Sequence, residues 1–374
     1  MAETIRWGMV GGGIGGFIGE VHRMAARLDG GFVLQAGCFS SDMERNRLSG
    51  IELGIAPGRT YDSFEEMAVR EAARSDGIRA VSIVTPNHLH FAAAKAFLEA
   101  GIDVICDKPL TTTLAEAKVL AQIAQERDRL LAATYNYTGN AMIRWARQLV
   151  SEGALGSLRL VQVEYAQDWL ARDIEQQGQK QAAWRTNPEL AGRAGCLGDI
   201  GVHAYNLARF VTGRSAGRVQ ADLTRFVPGR QVDDNAQVML DFGDGLRGAL
   251  WASQVAVGSE NTLRLRLYGE NASLAWEQEH PNQLQFTRFG EPPQVFSRNS
   301  AGYPAALQHL CRVPAGHPEG YLEAFANIYG EIRAALQTGS GDYPGVDVAV
   351  ADLAFIEACL ESDEAENRWR PVPQ

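Results

Sequence analysis

From Ile5 to about residue 134, short apolar runs alternate with longer stretches whose apolar residues recur at helical spacing. Parallel βαβ units read this way, because a strand covered on both faces is continuously apolar while its crossover helix is apolar on one side. The pattern predicts strands over 5–10, 32–39, 80–84, 103–106 and 130–134, with alanine-rich helices at 90–100 and 114–126. After Tyr135 the texture changes. A helix at 141–151 precedes alternating segments at 158–165, 219–226, 236–242, 246–253 and 263–268, whose short connections predict a largely antiparallel sheet. One helix interrupts them, running from near Asp199 to Thr212 with Gly213 just past its end, and two more are expected at 320–336 and 346–361. The polar stretch 171–187 reads as a long loop on the ligand side. The expected class is α/β: a doubly wound parallel sheet over 1–134, then a second α/β domain over 135–374 with a large open, mostly antiparallel sheet.

Composition narrows the function more than the fold. At 374 residues the chain fits two domains of about 100–200 residues each. A formal charge of -10 argues against a nucleic-acid partner, which calls for clustered Lys and Arg. No apolar run has the length of a membrane span. Cys38, Cys106, Cys196, Cys311 and Cys359 are scattered, with no ligand-like spacing, so reduced thiols and no metal site are expected. The start MAETIRWGMVGGG carries Glu3 and enters a strand directly, without the basic and apolar segments of a signal peptide. A cytoplasmic protein is the expectation.

The first candidate site follows the first strand. Gly11, Gly13 and Gly16, with Ile14 between them, satisfy GxGxxG where a strand turns into a helix. The glycines allow a tight turn, close approach of a pyrophosphate and close helix packing, and the helix N-terminus supplies N–H groups and a positive dipole. At the end of the second strand, where an acid selects NAD, stands FSSDMER. Ser40, Ser41 and Arg45 suit a 2′-phosphate, whereas Asp42 turned inward suits an unphosphorylated ribose; as a helix cap it does neither. NAD(H) and NADP(H) both remain open. TPNHLH after the strand at 80–84 places Thr85, Pro86, Asn87, His88 and His90 at a carboxyl edge, with Asn87 suited to the nicotinamide side and one histidine to ribose. CDKPL after the next strand places Asp107 and Lys108 there too, with Pro109 fixing the turn.

The second candidate site is GCLGDIGVH. Asp199 and His203 are four residues apart, so on an α-helix they share a face, and Gly195, Gly198 and Gly201 leave room for a ligand against it. The plainer alternative makes Asp199 a helix cap and leaves His203 in an interface.

These motifs in this order resemble the glucose-fructose oxidoreductase, inositol dehydrogenase and related family (Gfo/Idh/MocA), over nearly the whole chain. The resemblance implies a Rossmann domain, a C-terminal domain often used for homo-oligomers such as dimers or tetramers, and a catalytic lysine, aspartate and histidine matching Lys108, Asp199 and His203. It implies hydride transfer between nicotinamide and a ring hydroxyl of a small sugar or polyol, with His203 handling the proton. Two features depart from the family. Asp107 stands where glutamate is usual, and TYNYTG stands where an arginine often follows the fifth strand predicted here, so Tyr135, Asn136 and Tyr137 are candidates to line the pocket. Trp169, Trp184 and Arg185 offer flat surface and donors for a sugar ring, and His317 and Glu319 either complete that pocket or form a turn. Keto-sugar reduction and a non-catalytic dinucleotide sensor are the alternatives.

Overall fold

The computed structural model describes residues 4–373; Glu3, noted above, lies outside them. Strands β1 (Ile5–Gly11), β2 (Phe32–Cys38), β3 (Ala80–Val84), β4 (Asp103–Cys106) and β5 (Leu131–Ala133) form an all-parallel sheet in the order β2-β1-β3-β4-β5. Trp7, Met9, Val81, Ile83, Val104 and Ile105 are buried in it, as continuous apolar runs in a covered sheet require. The connecting helices are α1 (Phe17–Leu28), α2 (Met43–Glu52), α3 (Phe64–Ala72), α4 (His90–Glu99) and α5 (Leu114–Arg127). Ser63 caps α3 and Thr113 caps α5, each accepting from the amide three residues on, a contribution of about 1 kcal/mol apiece. The winding direction reverses between β1 and β3, so the crevice outside their carboxyl ends is where an open α/β sheet receives a ligand.

The chain forms two compact units: Met1–Asn136 with Leu322–Val350, and Tyr137–Tyr321 with Ala351–Gln374. The remaining helices are α6 (Ala141–Ser151), α7 (Lys180–Arg185), α8 (Pro188–Ala191), α9 (Val202–Thr212), α10 (Tyr321–Thr338) and α11 (Val346–Glu364). Within the first unit, Tyr329 of α10 is fully enclosed. Its hydroxyl lies 2.8 Å from His22 Nδ1 and 2.7 Å from Ser82 Oγ, and Trp7 Nε1 donates to the same Ser82 oxygen at 2.9 Å. Phe32 and Trp7 meet its ring edge-on at 5.2 and 6.0 Å between centroids.

Among the described residues the second unit carries nine strands. They are β6 (Leu158–Ala166), β7 (Arg218–Thr224), β8 (Asn235–Gly243), β9 (Leu246–Ser253), β10 (Thr262–Gly269), β11 (Ala272–Glu277), β12 (Gln283–Arg288), β13 (Gln294–Ser297) and β14 (Arg370–Pro371). Their order is β13-β12-β11-β10-β6-β9-β8-β7-β14, and every pairing is antiparallel except β6 with β9. Val161, Val163, Leu250 and Leu265 point to the covered face, where α9 packs. Tyr205 of α9 stacks on Phe355 of α11 at 3.8 Å, and Asn206 and Arg209 both reach the Asp352 carboxylate at 2.6 Å.

Two expectations need correcting. Strands β11 to β14 escape the sequence pattern because they are short and rich in polar residues, as in QLQFTR. The stretch 171–187 is no plain loop: Gln179 caps α7 by accepting from Ala182 N, and Asn187 caps α8 by accepting from Glu189 N. Among the described residues no helix is long and apolar enough to cross a membrane.

Candidate active site

In the first unit the glycine turn is built by close approach. Gly11 has φ +82, and a Cβ there would stand 2.9 Å from Thr85 and 3.0 Å from the Val84 backbone. A Cβ on Gly13 would meet Ser49 Oγ at 2.6 Å. The tightest packing against the turn belongs to a glycine the motif does not name: a Cβ on Gly19 would lie 2.3 Å from Gly12 Cα. Ser49 Oγ receives the Ile14 amide at 3.0 Å and donates to Arg45 O, which locks the turn to α2. Gly16 is the N-cap residue of α1.

At the end of β2, Asp42 caps α2, its carboxylate accepting from Arg45 N at 2.8 Å. Ser40 Oγ accepts from Asp42 N at 3.1 Å, while Ser41 and Arg45 are exposed. At the end of β3, His90 is buried, with Nδ1 2.9 Å from Pro109 O and Nε2 2.8 Å from Thr85 O. Both ring nitrogens are thus engaged by main-chain carbonyls, and the histidine joins the loop of Thr85, Pro86 and Asn87 to the loop of Lys108. His88 is exposed. Asp107 Oδ1 accepts from the Lys108 amide at 2.9 Å and from Thr134 Oγ1 at 3.0 Å, which fixes the backbone from which Lys108 projects. The Lys108–Pro109 peptide is cis.

A nicotinamide dinucleotide fits this unit on its own features. The turn admits backbone approach where Cβ atoms would collide, and Gly15 at φ +79 has nothing within 4 Å of where its Cβ would be. Thr85 Oγ1 and Asn136 Nδ2 are buried polar atoms without a hydrogen-bond partner, a state that a polar ligand relieves.

In the second unit, Leu197–Gly201 form a π-turn that runs into α9. This corrects the expectation of one α-helical face: the wider turn rotates Asp199 relative to the α-helix carrying His203, a distortion frequent at functional sites. The Asp199 carboxylate is no helix cap. It is 3.3 Å from Arg185 Nε and accepts from Gln254 Nε2 at 2.9 Å. The Arg185 guanidinium sits 4.1 Å over the Trp184 ring and 6.0 Å from that of Trp169. His203, 7% exposed, meets Tyr137 edge-on at 5.1 Å and Tyr165 at 6.2 Å. Tyr137 OH is 2.6 Å from Tyr165 OH, and Tyr165 OH donates to Asn261 Oδ1 at 2.8 Å. Burial raises both phenol pKa values, and the Asp199 charge adds to it.

The second unit therefore gathers Asp199, Arg185, Trp184 and Trp169 in one group and His203 with Tyr137 in another, joined through the field of Asp199. Glu319 stays outside both. It accepts from Arg312 N and Val313 N and pairs with Arg298 at 3.0 Å, while His317 is exposed, so GHPEGY is a structural turn. Gln254, Asn261, Tyr165 and Asp233 were not singled out from the sequence. Only the terminal position of Gln254, just past β9, offered a signal.

Comparison with known proteins decides the family. Residues 5–135 match the model of an oxidoreductase family with an NAD-binding Rossmann fold, and residues 143–275 match the GFO/IDH/MocA C-terminal domain. The chain belongs to the Gfo/Idh/MocA oxidoreductase family. A solved oxidoreductase from Sinorhizobium meliloti is 49% identical, with 98% of this chain and 99% of that one covered and a TM-score of 0.90. An inositol dehydrogenase homolog from Azotobacter vinelandii, solved with NADH and myo-inositol, is 36% identical over 99% of this chain and 98% of its own, with a TM-score of 0.92. Levoglucosan dehydrogenase of Pseudarthrobacter phenanthrenivorans is 25% identical over 100% of this chain and 99% of its own. As a Gfo/Idh/MocA member the chain is an α/β oxidoreductase with a Rossmann domain for a nicotinamide dinucleotide.

Proposed function

We propose that this Gfo/Idh/MocA oxidoreductase is a dehydrogenase of a sugar or cyclitol, oxidising a secondary ring hydroxyl with NAD(H) or NADP(H), and that Lys108, Asp199 and His203 carry the chemistry. One observation carries this reading: the π-turn presents the Asp199 carboxylate among Arg185, Gln254 and two tryptophans, and four residues on His203 stands beside Tyr137. The homolog solved with NADH and myo-inositol supports the substrate class.

A bound nicotinamide dinucleotide would supply the hydride acceptor or donor. His203 takes the hydroxyl proton as the carbon–hydrogen bond breaks, so the products are a ring ketone, a reduced dinucleotide and a protonated imidazole that later releases its proton to water. The role assigned to Lys108 is to stabilise negative charge that develops during the transfer. Asp199 accepts from a neighbouring hydroxyl and orients the ring, while Trp169, Trp184 and Arg185 supply a flat face with donors. Asn136 and Tyr137 complete the substrate contacts. Gly11, Gly13, Ile14, Gly16, Ser40, Ser41, Arg45, Thr85, Pro86 and Asn87 hold the dinucleotide, with Asp107 and His90 fixing the loops beside it.

We further propose that the chain works as a homo-oligomer through the open face of its nine-stranded sheet. Its unpaired thiols suit a reducing compartment such as the cytoplasm.

His203→Ala is expected to lower turnover by about 10²- to 10⁴-fold, the range for a lost general base. Dinucleotide affinity, read by titration of reduced-nicotinamide fluorescence, stays nearly constant. Equal loss of both overturns the division of roles.

A further inference from the structure

One residue of the second unit captures three successive amides. Asp233 Oδ1 accepts from Gly195 N at 2.7 Å, its carbonyl oxygen accepts from Cys196 N at 2.8 Å, and Oδ2 accepts from Leu197 N at 2.7 Å. Asp233 is 3% exposed, and Gly195 is obligatory beneath it, since a Cβ there would stand 2.2 Å from the Asp233 carbonyl oxygen. These amides open the π-turn, so both carboxylate oxygens of Asp233 fix the backbone from which Asp199 and then His203 project. The next residue extends the hold. Asp234 O accepts from Gln254 N at 2.9 Å, and the side chain of Gln254 is the donor on Asp199 Oδ2.

We propose that Asp233 is a positioning residue for catalysis: by accepting from the 195–197 amides it sets the orientation of Asp199 and His203. This rests on the reading of those two residues as the reacting groups.

The hold requires a carboxylate, and burial resists one. Desolvation raises the Asp233 pKa to about 6, against the two amide donors, which lower it. The charged and titratable groups around it are Arg225; Asp199 and Asp234, which with Asp233 push up the Cys196 thiol; Cys359 of α11; and Arg230, held by Asp234 and Glu175. The folded pKa lies above the ordinary 3.8, so the acid's contribution to stability is present at low pH and lost as pH rises through about 6. The turn needs the opposite: it tightens as the proton leaves. Stability and site geometry therefore respond to this one proton in opposite directions.

Asp233→Asn keeps the shape but offers one acceptor and turns a donor toward the second amide. The measurements are amide hydrogen exchange of the 195–203 peptide, thermal unfolding, and turnover with saturating dinucleotide. Exchange is expected to quicken and turnover to fall about 10- to 100-fold, the scale of an ångström of misplacement, with dinucleotide affinity unchanged. Asp233→Glu, which keeps both acceptor oxygens, recovers part of the turnover. Unchanged exchange overturns the hold, and faster exchange with full turnover overturns the positioning role. Should the Asn variant fail to fold, exchange of the same peptide in the unaltered protein above and below pH about 6, corrected for intrinsic rate, reads the same carboxylate; protection that ignores this pH overturns the proposal. If Asp199→Asn and His203→Ala both retain turnover, the assignment of the reacting groups fails instead, whatever Asp233 does.

Discussion

An indole donates one hydrogen bond and accepts none, so Trp169 sets the polarity of the groups bonded behind it. Its Nε1 donates to Gln167 Oε1 at 3.0 Å, which turns Gln167 Nε2 toward Asn261 Oδ1 at 2.7 Å. Asn261 Oδ1 then accepts from Tyr165, and the Tyr165 hydrogen is committed. Tyr137 must in turn donate to Tyr165, which leaves the Tyr137 oxygen able only to accept. Beside His203, an acceptor favours a neutral polyol, whose hydroxyls donate, over a carboxylate or phosphate, which cannot. Trp169→Phe frees Gln167 to rotate and is expected to raise KM for the polyol about 3- to 10-fold, the worth of one net hydrogen bond. Steady-state kinetics at fixed dinucleotide checks this, and an unchanged polyol KM counts against the polarity chain.

Among the elements, α10 depends on a buried histidine. Burial lowers the His22 pKa from 6.5 to about 4, with the Asp107 charge opposing and Arg23 assisting. The folded value lies below the unfolded one, so the neutral ring's stability is complete above pH 6.5 and drains away as pH falls toward 4. About 3 kcal/mol is at stake by that linkage. The urea midpoint should therefore drop over this window, and His22→Gln should flatten the slope; an equal slope in both assigns acid lability elsewhere. Sequence pattern located α10 within a residue or two at each end but not this role, because His22 and Tyr329 are 307 positions apart. The same division holds at the site. The glycine turn, the Lys108 loop and the Asp199–His203 pair are local patterns and were legible. The π-turn was not, since a single five-residue segment is too short to establish a period of its own. Nor was Asp233, whose partners lie 36 and 38 positions away on another element.

For the molecule as a whole, among the described residues α9 packs on the face of the nine-stranded sheet that buries Val161, Val163 and Leu250. The other face carries Gln162, Glu164, Gln237, Met239, Trp251 and Arg266, with Met239 half exposed and Glu164 3.6 Å from Arg266. Antiparallel sheets can leave one face to water, yet apolar Met239 and indole Trp251 among paired charges suit contact with a second copy. Met239→Glu combined with Trp251→Glu is expected to shift the mass measured by light scattering to that of a single chain of 40.7 kDa. A single-chain mass before substitution removes the proposal. The double variant should keep dinucleotide affinity, because every residue assigned to that role lies in the other unit.

The first unit is discontinuous: its sheet comes from Met1–Asn136, while Tyr329 arrives with Leu322–Val350. A fragment ending at Asn136 would therefore expose His22, Ser82 and Trp7 to solvent on the side that aromatic ring covers. Recombination that exchanges nucleotide-binding halves among such enzymes has three splice junctions to respect, after Asn136, before Leu322 and after Val350, and the last falls in the second turn of α11.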